Sequence, residues 1–502
     1  MLNIKLFKSA QLAFLFSSLY AMNVHANPEH QDSLNTGTEV TQEVDLLTKQ
    51  QLELEAKAIE DQLAAEKQLE EERIAAEKQA LAEEQLNAKL GEIKLQFKSA
   101  VAKIYASNNF QPIWQDSSAE KQFLREYAML VISGVSKNSA EILAKIDAIP
   151  EGNFERDVLL TDTFLDYMYY SYNIIKSAQK WLYSANNYKS SLPTEEQIST
   201  WLMAAQEGNM LAFLNTLTTE NNLYKQTFAA LPELVNPSNM DKEALKKLYK
   251  LAINVQRLRV IPAFEDGLFV NIPSYELDYY RDGKLVLSSK VIVGKKARKT
   301  PVLYSKLSNV VVNPPWNTPT RLINEDIIPK VRKDPSYIYR NGYTIIDSKG
   351  KTIDPYTIDW ENMTAKKFPY RLRQAPGDSA LGNFKFNMPS SDAIFLHDTP
   401  TRNLFAKKDR ALSSGCVRVE KADELATILL KEAGWSEERK RNTLQSRKTT
   451  SANVASNNPV FLYYVTSWVD GEKTYTLPDI YGYDVTPDLS YIDWNMIKKY
   501  IN

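Results

Sequence analysis

Cys416 is the only cysteine of this 502-residue chain, and it lies nineteen residues after His397. The other two histidines, His25 and His30, fall in the N-terminal leader and its polar exit, so His397 is the one imidazole of the folded part. The passage reads Phe395-Leu396-His397-Asp398-Thr399-Pro400, then a polar loop, then Ser413-Ser414-Gly415-Cys416-Val417-Arg418-Val419. A thiol attacks as its thiolate, and a neighbouring imidazole or cation favours that form. His397 can take the thiol proton, and Arg418, two positions past the cysteine, can add positive potential or grip a carboxylate with its planar fork. Gly415 permits close backbone approach, and the amides around Gly415 and Cys416 are candidate oxyanion donors. The chemistry so described is acyl transfer through a thioester. A lone cysteine is more often a small buried apolar residue, but this one sits among Ser, Gly, Asp and Arg. One Cys and one His cannot supply the three or four protein ligands of a zinc site. The chain also has no Gly-x-Ser-x-Gly elbow for a serine nucleophile.

The elements that must position this pair change character near Arg259. From about Leu95 to Gln256 apolar residues recur at helical spacing, as at Phe123, Tyr127, Leu130 and Val131, with breaks at Ile149-Pro150-Glu151-Gly152, Leu192-Pro193 and Asn236-Pro237-Ser238. From Leu268 the pattern becomes strand-like: Phe269–Ile272, Glu276–Tyr280, the turn Asp282-Gly283, Leu285–Leu287, Val291–Gly294, Val310–Val312, Ala393–Leu396 and Val460–Val465. A helix is expected over Lys421–Ala433, ended by Gly434. The fold class is therefore α+β, a helical arm and scaffold followed by a β-rich domain.

A formal charge of −1 argues against a general nucleic-acid footprint or a polybasic membrane anchor. Lys5 and Lys8, the apolar run Ala10–Met22 and Val24-His25-Ala26 predict an export signal over residues 1–26, with an uncleaved anchor as the alternative. Thr38–Leu90 holds no Gly, Pro or aromatic residue and predicts a long solvated helix. Leu52, Ala56, Ile59 and Leu63 are spaced for a coiled coil, out of phase with Ile74, Leu81 and Ala88, so self-association through this arm competes with a plain tether. The expected division is 27–95 spacer, 96–256 helical scaffold, 257–490 catalytic domain and 491–502 tail.

The His397 and Cys416 passage resembles the L,D-transpeptidase catalytic (YkuD) domain, and most closely the large periplasmic YcbB-like group. Val270-Asn271-Ile272-Pro273, Lys299-Thr300-Pro301, Asn313-Pro314-Pro315-Trp316-Asn317, Arg371-Leu372-Arg373-Gln374, Leu381-Gly382 and Asp479-Ile480-Tyr481-Gly482 strengthen the likeness, which spans about Lys98 to Asp484. The resemblance implies a periplasmic enzyme that cuts a tetrapeptide stem of peptidoglycan after its third residue, releases D-Ala, and passes the acyl group from Cys416 to the amine of a second stem. Donor and acceptor stems are the implied partners, no cofactor or metal is required, and Arg418 would hold a stem carboxylate. It also implies a capping insert at about 317–372, where Trp316 is expected to face the cleft and most other aromatics to form the insert's own core. Asp398, Ser414, Gly415 and Phe395 complete the implied site. Ser414 stands where the general motif has a second His, and Phe395 where relatives often place Tyr. No segment resembles the small peptidoglycan-binding module that many of the group carry. Papain-like enzymes and sortases space Cys and His differently. A wall-binding protein with an inert domain, lipoprotein attachment and D-amino-acid exchange remain as rivals.

Overall fold

The structure, a computed structural model, describes residues 37–502 apart from 92, 185–186, 455–457 and 486. The expected leader and the start of the spacer lie outside these residues. The chain divides at Leu81/Ala82 into two units.

The described residues of the first unit belong to a helix that runs Gly37–Leu90. Arg73 bridges Glu70 and Glu77 along its surface, pairs that stabilise an isolated helix by a few tenths of a kcal/mol each. Leu52, Ile59, Leu63, Ile74 and Leu81 stand exposed.

In the second unit the breaks expected from Pro and Gly separate capped helices. Asp116 accepts the amides of Ser118 and Ala119 to start Ser117–Ser133, Asn153 caps Phe154–Trp181, and Thr194 with Gln197 forms a capping box for Glu195–Gln206. Trp114, Phe123, Phe164 and Trp201 pack ring against ring at their centre. The helix Lys242–Leu258 carries Arg257 inward. The expected tail is a helix, Trp494–Ile501, that buries Met496, Ile497 and Ile501; Arg125 holds the Ile501 carbonyl.

The strands follow in chain order: β1 Gly267–Asn271, β2 Glu276–Arg281, β3 Lys284–Gly294, β4 Leu303–Lys306, β5 Asn309–Val312, β6 Trp316–Asn317, β7 Tyr343–Ile346, β8 Thr352–Ile353, β9 Arg371–Gln374, β10 Phe384–Asn387, β11 Leu396–His397, β12 Ala411–Ser413, β13 Val417–Val419, β14 Thr450–Asn453 and β15 Pro459–Tyr463. One large sheet has the order β14-β5-β10-β11-β13-β3-β2-β1-β15-β4, with β12 added beside β3. The β2–β3 turn is Asp282-Gly283, both at positive φ, as expected. The strand expected at Ala393–Leu396 is shorter, because Ala393 at φ 52° turns the chain before β11 begins.

The two faces of the sheet's centre differ, because side chains alternate along a strand and registered neighbours share a face. Phe384, Phe386, Leu396, Val417, Val419, Val291 and Val293 are buried in the main core, with the helix Ala422–Glu432 contributing Leu425 and Leu429. Burying each such side chain contributes roughly 1.5–3 kcal/mol. On the other face Lys385, His397, Arg418 and Ile292 lie in one row across β10, β11, β13 and β3.

Between β6 and β9 the insert forms a sheet of its own, β6-β9-β7-β8. Ile327, Val331, Ile345, Trp360, Phe368 and Leu372 make a separate apolar core there.

Candidate active site

Cys416 lies at the start of β13, just after the turn Ser414-Gly415 that follows β12. Two polar side chains hold that turn. Ser413 Oγ accepts the Gly415 amide at 3.1 Å and donates to the Cys416 carbonyl at 2.6 Å. Thr300 Oγ1 donates to the Gly415 carbonyl at 2.7 Å and accepts the Gly294 amide at 2.8 Å. Gly415 has φ 125°, which a side chain would strain. Its amide is thus occupied, so of the two candidate oxyanion donors only the Cys416 amide lacks a protein acceptor among the described residues.

The parallel pairing of β11 with β13 sets the rest. Leu396 pairs with Val417 and His397 with Arg418, and Val417 N–H donates to the Phe395 carbonyl at 3.2 Å. Phe395, His397, Cys416 and Arg418 consequently face the same way. All four line a cleft of about 700 Å³, together with Ser414, Gly415, Arg298, Lys299 and, from the insert, Trp316, Asp326, Tyr337 and Tyr343.

His397 is buried at 5% exposure. Its Nδ1 bonds the Asp398 carbonyl; a carbonyl only accepts, so Nδ1 carries the proton and Nε2 is left as an acceptor. Burial, helped by the charges of Arg418 and Lys385, lowers its pKa to about 3, so the ring rests neutral. Burial also pushes the Cys416 thiol up, opposed by the Phe395 backbone and by Lys385 and Arg418. The thiol reaches the Ala393 carbonyl at 4.0 Å and is met by the Phe395 backbone, and among the described residues no hydrogen bond joins it to His397. The resting pair is therefore thiol and neutral imidazole.

The guanidinium of Arg418 makes no hydrogen bond or ion pair with a described residue, and its Nε is buried without a partner. A planar donor set left open in a cleft suits a carboxylate. Asp398, which the resemblance implies for the site, meets it through its backbone. Its carbonyl orients His397, but its carboxylate accepts the Asn383 amide at 2.9 Å and an Arg402 nitrogen at 3.1 Å, and it is absent from the cleft lining. Ser414 is exposed and accepts from Arg298 at 2.9 Å. Arg298 also pairs with Glu325 at 2.6 Å and with Asp326, tying the insert to the cysteine turn.

Trp316 lines the cleft, its ring tilted against that of Tyr343 with centroids 6.2 Å apart. Tyr337 and Tyr343 join it there, whereas Trp360 is buried in the insert's own core. Sequence reasoning missed those two tyrosines and also Arg298, Thr300 and Lys385. Thr300 was visible only inside a motif. For Lys385 the available signal was a charge inside the alternating Phe384-Lys385-Phe386.

Residues 265–433 match the L,D-transpeptidase catalytic domain family, YkuD, and residues 99–231 match the Scaffold domain family. A protein of Haemophilus influenzae, provisionally named an L,D-transpeptidase, is 55% identical over 417 residues, which is 83% of this chain and 84% of that protein. Two solved structures also match. One is the carbamoyl enzyme of Ldtfm with avibactam, 11% identical over 41% of this chain and 50% of that one, with a TM-score of 0.19. The other is the catalytic domain of an E. faecium L,D-transpeptidase acylated by ertapenem, 12% identical over 40% of this chain and 98% of that one, with a TM-score of 0.19.

Proposed function

The chain belongs to the L,D-transpeptidase family, and from that premise we propose that it forms 3→3 cross-links in peptidoglycan through a thioester on Cys416. His397 Nε2 accepts the Sγ proton as the thiolate attacks the carbonyl of the third residue of a tetrapeptide stem. The Cys416 amide faces the oxyanion that forms. Collapse of that intermediate breaks the bond to D-Ala, whose amine takes the proton from His397. The side-chain amine of a second stem then attacks the thioester, His397 removes its proton, and the thiol is restored. Arg418 holds a stem carboxylate throughout. The observation that carries this reading is the open guanidinium of Arg418 in register with His397 beside the chain's one thiol. Trp316, with Tyr337 and Tyr343, supplies apolar surface to the stem.

On the same reading residues 1–26 export the chain to the periplasm, and the helical arm gives reach or self-association. Sacculi treated with the purified protein should gain 3→3 muropeptide dimers, and Cys416→Ala should abolish the gain. Dimers at full yield in that variant would end the proposal. A carbapenem should add its mass to the wild-type protein once and leave Cys416→Ala unlabelled; no adduct on the wild type would favour an inert domain. Products attached to a lipoprotein or carrying exchanged D-amino acids, in place of dimers, would redirect the acceptor half of the reaction.

A further inference from the structure

A second cation flanks His397, on the side opposite Arg418. Lys385 of β10 is paired with His397 of β11, just as Arg418 of β13 is. The three side chains therefore project from one face in adjacent strands, with the imidazole in the middle. The Lys385 ammonium lies 4.1 Å from the centre of the Phe395 ring, and Phe395 precedes β11 beside Cys416. No described carboxylate or carbonyl pairs with that ammonium. Lys385 is not part of the cleft lining, so its charge reaches the thiol across the Phe395 ring and does not depend on touching substrate.

We propose that Lys385 is a positioning residue for the charge of this site: its unpaired ammonium stabilises the Cys416 thiolate and keeps His397 an uncharged base. The proposal rests on Cys416 being the nucleophile. A half-buried ammonium held over an aromatic face interacts more strongly with a nearby anion than a fully exposed lysine does. The same charge penalises an imidazolium, so a preformed thiolate–imidazolium pair is disfavoured and proton transfer waits for substrate. Electrostatics agree in direction. Burial lowers the Lys385 pKa while the Cys416 charge raises it, and Lys385 appears in turn among the influences that favour the thiolate and disfavour the imidazolium. Among the described residues no carboxylate stands beside the ammonium. A carboxylate would cancel its field at the sulfur.

The chain's single thiol makes the test direct, because iodoacetamide alkylation of the full-length protein reads Cys416 alone. The alkylation rate is followed from pH 6 to pH 10.5 for wild type, Lys385→Met and Lys385→Arg. Lys385→Met should move the midpoint of the profile up by about one pH unit, which is about a tenfold loss of rate on the acid side of the profile, and Lys385→Arg should restore it. A midpoint in Lys385→Met that coincides with wild type overturns the proposal. So does a shift that Lys385→Arg shares in full, since that would reflect packing and not charge. Should Lys385→Met not fold, Lys385→Gln is read in the same way. Carbapenem labelling of the wild type runs in parallel: its absence would fail the functional reading, whereas an unmoved midpoint with normal labelling fails only this one.

Discussion

Arg257 and Arg418 are both withdrawn from water, and they are treated in opposite ways. Arg257, on the last long helix of the scaffold, is fully buried and fully matched: its nitrogens reach Asp484 at 2.6 Å, the carbonyls of Leu182 and Tyr483, and Asn254. The Tyr183 ring lies 4.9 Å away. Arg418, in the centre of the catalytic sheet, has no such set, and Lys385, across His397 from it, has only a ring. Burying a charge is costly unless partners replace water, so a folded chain leaves cations open only where another molecule or another charge completes them. The scaffold spends its buried charge on rigidity, and the sheet face holds its charge in reserve for an anion.

The largest expected effect breaks the scaffold side of this contrast. Arg257→Met leaves Asp484 without its main partner and should lower the unfolding free energy by about 3–5 kcal/mol, measured by urea denaturation. The folded fraction should still react with a carbapenem at the wild-type rate. A loss below about 1 kcal/mol would remove the contrast. Arg418→Met should do the reverse. Its urea midpoint should stay close to wild type or rise, because an unmatched charge is gone, while stem-peptide turnover falls about 100-fold, or about 2–3 kcal/mol in transition-state binding. Equal losses of stability and activity in that variant would make Arg418 structural.

A smaller effect sharpens the comparison through pH. His397 has a folded-state value lowered from 6.5 to about 3 by burial and two cations. Below about pH 6.5 the unfolded chain binds a proton that the native state refuses, so this group's contribution to stability is present at neutral pH and lost as pH falls toward 3. The slope is up to about 1.4 kcal/mol per pH unit. His397→Gln should flatten the decline of unfolding free energy between pH 6.5 and 5 by that amount. An unchanged slope would mean that the imidazole is not held neutral.

How much of this was legible in the sequence varies with the range of the interaction. The helix breaks at Ile149–Gly152, Leu192-Pro193 and Asn236–Ser238, the Asp282-Gly283 turn and the stop at Gly434 are local, and composition and spacing reveal them. Cys416 and His397 stood out as candidates because their residue types are scarce, and Arg418 because it lies two positions from Cys416. Which atoms of Asp398 meet His397 and which meet Asn383 and Arg402 was not legible, since nothing in a tetrapeptide decides it. Most aromatics of the insert belong to its own core, as expected; that Tyr337 and Tyr343 also reach the cleft was not legible, because burial in a small core and exposure to a cleft demand the same residue types.

By itself, the amino-acid sequence determined the α+β order, the long charged helix, the scarce thiol and imidazole, and the family resemblance, all of which rest on local propensity and residue chemistry. Tertiary structure alone decided that β10, β11 and β13 lie side by side, which places Lys385 against His397 although twelve residues separate them in the chain. It also decided which arginines are matched and which left open. Strand register and burial depend on contacts between distant segments, and those arise only when the apolar face of the sheet closes over its core.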